Sequence, residues 1–265
     1  MNQFGPKHLR QTVLDMAYSG QTVHIGCAFS IIELLSVLYA KHLRLDIANP
    51  RWPDRDFLVL SKGHGVMAQY ACLRELGWLS GADLEHYFSN GTLLKGLADV
   101  HVPGIEATTG SLGHGLSVGA GLALGAKLQR SEQVVYALVG DGELNEGSIW
   151  EAVQFAVQFR LDNLLIIVDQ NGFQAMGATD DVMQLGDLTA KFRAFGFDAD
   201  LIDGHDMRAI DAAYSKARAD RNGRPKAIVA RTVKGKGVSF MEGNNAWHYT
   251  RLDEESYAKA TSELK

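Results

Sequence analysis

The string Gly140-Asp141-Gly142-Glu143-Leu144-Asn145-Glu146-Gly147 sets one carboxylate between two glycines, directly after the apolar run Val134 to Val139. Such a run reads as a strand buried on both faces of a parallel sheet. Ligands of open parallel sheets bind beyond the carboxyl ends of the strands, and glycine lets backbone approach a ligand closely. The helix that follows favours an anion at its start. A carboxylate beside an anion site is a conflict unless a cation lies between them. Mg²⁺ bridging a diphosphate resolves it, because Mg²⁺ takes one or two protein oxygens plus phosphate oxygens. The alternative is a plain strand-to-helix turn capped by Asp141, and this segment alone leaves both readings open. Asn171 ends the next apolar run, which starts at Leu164. Neighbouring strands of a right-handed β-α-β unit bring Asp141 and Asn171 to one edge. Together they form a hard oxygen pair suited to Mg²⁺ or Ca²⁺, although Asn171-Gly172 by itself reads as an ordinary turn.

Of 9 histidines, His24, His64, His114, His205 and His248 fall in expected loops or turns. Imidazole exchanges protons near neutral pH, so loop histidines suit chemistry on hydroxyl groups. Any one of them alone is as readily a satisfied or solvated side chain. Lys234 and Lys236 read as a solvated basic loop and not as phosphate ligands.

These residues need a scaffold. Pro6 opens a helix over 6–19. Ser30 with Glu33 three positions on makes a capping box for a helix over 30–42. The run 57–60 reads as a buried strand, and a helix follows Ser61-Lys62-Gly63-His64-Gly65 to about Leu76. Residues 80–89 read as helical, 90–110 as irregular, and Gly115 to Leu128 as a helix rich in Gly, Ala and Ser. From residue 134 the order is β-α-β-α-β-α-β, which implies an α/β fold with a parallel sheet flanked by helices on both faces. The polar segment from about residue 250 reads as peripheral.

The chain has 265 residues, 46% of them hydrophobic and 22% charged, with 28 Gly against 5 Pro. That composition excludes disordered and collagen-like classes. Its glycines gather beside His, Asp and Asn, where a site is expected. No apolar run reaches about 18 residues, so no membrane span is expected. Two cysteines and an N-terminus without a signal layout point to a reducing, cytoplasmic setting. A net charge of −5 argues against a nucleic-acid partner.

The motifs agree with one family. GDGELNEGSIWEAVQFA, SKGHG (61–65), PGIEATTGSLGHGLSVGAGLALG (103–125), DGHD (203–206) and VKGKGVSFMEGNNAWH (233–248) resemble transketolase segments in the family's order. The resemblance runs from about residue 7 to residue 250. It implies the thiamine-diphosphate-binding fold of the family's diphosphate domain, filling 1–265 as a single domain. It also implies Asp141 and Asn171 as ligands of Mg²⁺ (or Ca²⁺ or Mn²⁺), joined by the backbone carbonyl of Phe173. Gly142 then contacts the diphosphate, and His64 and His248 lie near the diphosphate and the reactive carbon. His24 faces substrate hydroxyls, and Gly110, Ser111 and Leu112 touch the middle and pyrimidine parts of the cofactor. Glu146 matches a carboxylate of the network that links two active sites. For His114 and His205 the satisfied or solvated reading stands.

Two departures follow. Leu97 stands where the family places a histidine that contacts the donor sugar. An apolar side chain cannot donate to a hydroxyl, so a modified sugar donor is expected unless His101 substitutes. No segment matches the family's pyrimidine-binding domain, which carries an essential Glu. The resemblance therefore implies the N-terminal subunit of a split transketolase. Such a chain is active only with a C-terminal partner subunit, in an α2β2 assembly, and moves a two-carbon ketol unit between sugars or sugar phosphates. Alternatives are the α-subunit of a 2-oxo-acid dehydrogenase, disfavoured by TTGSLGHG and KGKG, and a non-catalytic cofactor-binding subunit, disfavoured by the intact Asp141, Asn171, His64 and His248. A nicotinamide domain is excluded because Gly113-His114-Gly115-Leu116-Ser117-Val118 lacks the third glycine and follows no expected strand.

Overall fold

The computed structural model describes residues 3–265. Five strands form one all-parallel sheet in the order β1-β2-β3-β5-β4: β1 (Phe57–Leu60), β2 (Val135–Gly140), β3 (Leu164–Gln170), β4 (Asp198–Asp203) and β5 (Lys226–Arg231). The helices, in chain order, are α1 (Pro6–Ser19), α2 (Ile25–Phe29), α3 (Ile32–Val37), α4 (Val66–Glu75), α5 (Gly81–Glu85), α6 (Gly115–Leu128), α7 (Gly147–Gln158), α8 (Thr179–Val182), α9 (Leu188–Phe195), α10 (Met207–Ala219) and α11 (Glu254–Leu264). None of the described helices is long and apolar enough to cross a membrane.

The continuous apolar runs have a physical reason. Tyr136, Leu138, Leu165 and Ile167 enter one core with α1–α4, α10 and α11, while Val135, Ala137, Val139, Ile166 and Val168 enter the other with α6, α7 and α9. Strands buried on both faces need no polar alternation. Register brings three strand ends to one edge: Ser61 N donates to Leu138 O at 2.8 Å and Asp141 N to Asp169 O at 3.1 Å. The expected β-α-β order from residue 134 is borne out.

Three local expectations are corrected. Ser30 caps no helix, because the chain is already helical from Ile25. Its hydroxyl instead donates to Asp169 Oδ2 at 2.8 Å, and Glu33 faces Arg10 at 2.7 and 2.8 Å. Burial of Asp169 and Arg10 outweighs the local capping pattern. The expected helix over 80–89 is only α5, since the chain reverses at Phe88 with a positive φ of 60°. The segment beyond 250 is not peripheral. A capping box of Asp253 and Ser256 starts α11, which buries Ala260 and Leu264 and stacks Tyr257 on Tyr18 of α1 at 4.3 Å.

Candidate functional site

The loop after β2 and the loop after β3 form one corner. Asp141 is buried; its Oδ1 accepts from Gly142 N at 2.8 Å and its Oδ2 from Gly172 N at 2.7 Å. Thr179 Oγ1 lies 3.4 Å from the same Oδ2. Asn171 Nδ2 donates to Asp169 Oδ2 at 2.7 Å, and its Oδ1 accepts from Phe173 N at 3.0 Å. Asp169 itself is paired with buried Lys62 at 2.5 Å and accepts from the Ser30 and Thr232 hydroxyls. Asp141 and Asn171 thus meet at one place, linked through Gly172 and Asp169.

No described ion pair includes Asp141. Burial first, and the neighbouring Asp169 second, push its carboxyl up to about 6. A buried carboxylate without a positive partner, beside an amide and backbone carbonyls, is a hard oxygen set that fits a divalent cation. Gln174 folds over Gly142, and its Nε2 is buried with no hydrogen-bond partner, an orphaned donor that fits an anionic oxygen. The described residues hold no group of three or more His, Cys, Asp or Glu side chains able to bind a metal. A cation here must therefore draw further ligands from carbonyls, water or a bound phosphate.

Three histidines face one another nearby. Ring centroids lie 5.2 Å apart for His24 and His64, 5.0 Å for His24 and His248, and 5.8 Å for His64 and His248. His24 sits at the N-terminus of α2 with φ of 71°. That left-handed conformation is costly for a non-glycine residue and is found where surroundings impose it. Burial, then Lys234, lowers the His24 imidazole; burial, then Lys62, holds His64 well below its ordinary value; burial, then Lys234, takes His248 down to about 3. In all three the surroundings favour the neutral imidazole.

Gly110 has φ of 134°, and Leu97 covers it so closely that a Cβ would lie 2.8 Å from a Leu97 methyl. Only glycine fits there. Ser111 is exposed and Leu112 half-buried. Glu143, which sequence reasoning passed over, ties the loops together: Ser61 Oγ donates to its Oε1 at 2.5 Å, Gly113 N to the same atom at 2.9 Å, and Gly140 N to Oε2 at 3.2 Å. Glu146 lies against Gly113 at its edge. A cavity of about 650 Å³ opens beside this cluster, lined among others by His24, Thr22, Tyr87, Phe88, Leu97 and Thr109. His101 does not line it; the side chain is 79% exposed and bonds Asp99 at 2.6 Å.

Lys234 corrects the reading of a solvated basic loop. It is 1% exposed, with Nζ 2.7 Å from Asn245 Oδ1 and 2.8 Å from His248 Nδ1. Lys236 does remain at the surface, paired with Glu242. Lys62, Lys234 and the Gln174 amide gave no signal to spacing arguments, because only the fold shows the two lysines and Gln174 Nε2 to be buried. The order of ligands at strand ends offered a signal for Asp169 alone. His205 is satisfied by Glu33 at 3.0 Å and Val233 N at 2.8 Å, and His114 bonds Leu112 O, as read for both.

An all-parallel sheet whose strand-end loops hold a buried carboxylate outside any described ion pair and a buried amide donor without a partner, with three clustered histidines, has the make-up of an α/β ligand-binding site. The family described as "Transketolase, thiamine diphosphate binding domain" matches residues 5–264, and the chain belongs to the transketolase family. It is 42% identical over 243 residues to the SqwG subunit of 6-deoxy-6-sulfo-D-fructose transketolase from Clostridium sp. (strain MSTE9), covering 91% of this chain and 88% of that one. It is 38% identical over 255 residues to one of the subunits of apulose-4-phosphate transketolase from Phocaeicola vulgatus, covering 96% and 90%. Among solved structures, transketolase from Campylobacter jejuni superposes with a TM-score of 0.93 at 31% identity, over 99% of this chain. This chain spans 42% of that one. The resemblance, the α/β fold and the thiamine-diphosphate-binding family read from the motifs are thereby borne out, and the family match decides against a 2-oxo-acid dehydrogenase.

Proposed function

We propose that this chain is the thiamine-diphosphate-binding subunit of a two-chain transketolase, a transferase that moves a two-carbon ketol unit from a ketose phosphate or modified ketose to an aldose phosphate. The observation that carries the reading is that the Asp141 corner, at the ends of β2 and β3, and the cluster of His24, His64 and His248 share the buried Lys62, which pairs with Asp169 and also bears on all three imidazoles. Two relatives are named as subunits and match this chain over 88% and 90% of their own lengths. That supports a single diphosphate-binding domain here with the pyrimidine-binding part on a partner chain; the α2β2 assembly and the cytoplasmic setting belong to the same proposal.

Thiamine diphosphate, when bound, supplies the stabilisation of the carbanion. The chain supplies position and protons. Asp141, Asn171 and the Phe173 carbonyl would hold Mg²⁺ (or Ca²⁺ or Mn²⁺), and Gly142 N would face the diphosphate. Gly110, Ser111 and Leu112 would line the cofactor's middle, with Glu146 at the boundary toward a second site. His24, His64 and His248 would hydrogen-bond hydroxyl and phosphate oxygens, and imidazoles among them with a free ring nitrogen would exchange protons with the substrate. Asp141→Ala should abolish metal-dependent cofactor binding by the assembled enzyme while the circular dichroism spectrum stays unchanged. Calorimetry that finds undiminished binding in this variant overturns the assignment.

A further inference from the structure

His24 and His64 have no side-chain hydrogen bond among the described residues, whereas His248 has its Nδ1 fixed. Lys234 Nζ lies 2.8 Å from that atom, and Cys27 Sγ lies 3.6 Å from it. An ammonium carries three donors and no acceptor, so a hydrogen bond with it obliges Nδ1 to accept. Cys27 is buried, and burial keeps it as a thiol, so it adds no negative charge beside Nδ1 that would favour a proton there. Asn245 Oδ1 accepts another Lys234 proton at 2.7 Å and anchors the ammonium. Lys234 itself packs over Gly26, where a Cβ would sit 3.3 Å from its Cγ. The lysine is therefore built into the wall and not swinging in solvent.

We propose that Lys234 is a positioning residue that holds His248 as the neutral tautomer protonated at Nε2, so that of the three histidines His248 presents only a hydrogen-bond donor toward the site. This deepens the transketolase reading but is measured apart from it. A ring nitrogen that carries its proton cannot take another, so His248 donates to a substrate or phosphate oxygen, and proton acceptance is left to His24 or His64. The groups around the His248 ring are Lys234, Lys62, His24, His64, Cys27 and Tyr249. Both cations among them disfavour a further positive charge, which reinforces the assignment.

The test uses the full chain with ¹⁵N-labelled histidine, with no cofactor and no turnover. The His248 resonances, assigned by loss in His248→Gln, should show a pyrrole-type proton at Nε2 and a bare Nδ1 from about pH 5 to 8. Lys234→Met should release the ring into a mixture of tautomers that titrates nearer the ordinary imidazole range, while Asn245→Ala should keep the Nε2 tautomer. A wild-type ring protonated at Nδ1, or an unchanged tautomer in a folded Lys234→Met chain, overturns the proposal. If Lys234→Met fails to fold, the wild-type spectrum alone still decides. In the assembled enzyme Lys234→Met should lower kcat more than it raises KM and add an acid limb to the pH profile. Loss of cofactor binding in Asp141→Ala with the Nε2 tautomer intact would separate this claim from the metal assignment.

Discussion

At the scale of single residues, Leu97 carries the most information about which sugar is used. It packs on Gly110 and lines the same cavity as His24, while the nearby polar groups are already engaged: Lys95 pairs with Asp99 at 2.5 Å, and Asp99 with His101. His101 does not line the cavity, so it does not replace the polar contact that a histidine at position 97 would make. A site that bonds a hydroxyl rejects an analogue lacking it far more strongly than an apolar wall discriminates the reverse. Leu97→His should therefore raise kcat/KM for xylulose 5-phosphate, relative to the native donor, by about tenfold, the worth of one hydrogen bond. Leu97→Ala, which opens space without adding a donor, should leave that ratio unchanged. Parallel kinetics on the assembled enzyme check both, and a wild type that already prefers xylulose 5-phosphate removes the premise. Asp141, Asn171, His64 and His248 could be singled out in the sequence because they sit in motifs with fixed order, and the fold places Asp141 beside the Asn171 turn and His64 beside His248. Lys234 and Gln174 could not, because a lysine or glutamine in a glycine-rich loop looks solvated until the fold buries its nitrogen.

At the scale of elements, the helices around Glu33 show tertiary contacts overriding local pattern. Glu33 on α3 pairs with Arg10 of α1 and with His205 beyond β4, all three little exposed. Burial works to raise its carboxyl, but hydrogen bonds from His205 and Arg10 prevail and bring it down from 4.5 to about 2. A carboxyl depressed in the folded state adds stability that is present above its unfolded value and lost as pH falls through the folded one. The window is therefore about pH 4.5 down to 2, and the contribution is about 3 kcal/mol. Glu33→Gln should flatten the loss of stability between about pH 5 and pH 3, read from urea midpoints of variant and wild type. A variant with an undiminished acid slope would show that the pair is not formed. Read as sequence, Ser30 and Glu33 looked like a cap, since their spacing is right and nothing local says that Arg10 and Asp169 need them more. Strands were easier to read than helix ends, because burial on both faces writes itself as an apolar run, whereas α11 hides its few buried positions among polar ones.

At the scale of the whole molecule, α6 presents an open face on which a partner can be tested. One side of it is internal: Gly115 backs onto Ser61, and Gly119 lies against Ala137, where a Cβ would be in ordinary contact at 3.4 Å. The other side is open. Added Cβ atoms at Gly121 and Gly125 would meet nothing within 4 Å, Val118 is 42% exposed and Leu128 75%. Phe155 of α7 continues the apolar strip across a shallow groove shared with Gly121. Each helical glycine forgoes roughly 1 kcal/mol against alanine, a cost with no return inside this chain at positions 121 and 125. Small residues on a helix let a second helix approach toward the low end of the usual ~8–10 Å. Gly121→Leu turns that argument into a measurement. In the isolated chain the new side chain enters open space and improves helix propensity, so the thermal midpoint should stay or rise. In the co-expressed pair it should block close helix packing, lower the mass seen by light scattering below that of an α2β2 assembly, and reduce activity in step. A variant that assembles and turns over like the wild type would show that this face is left uncovered and that the partner docks elsewhere.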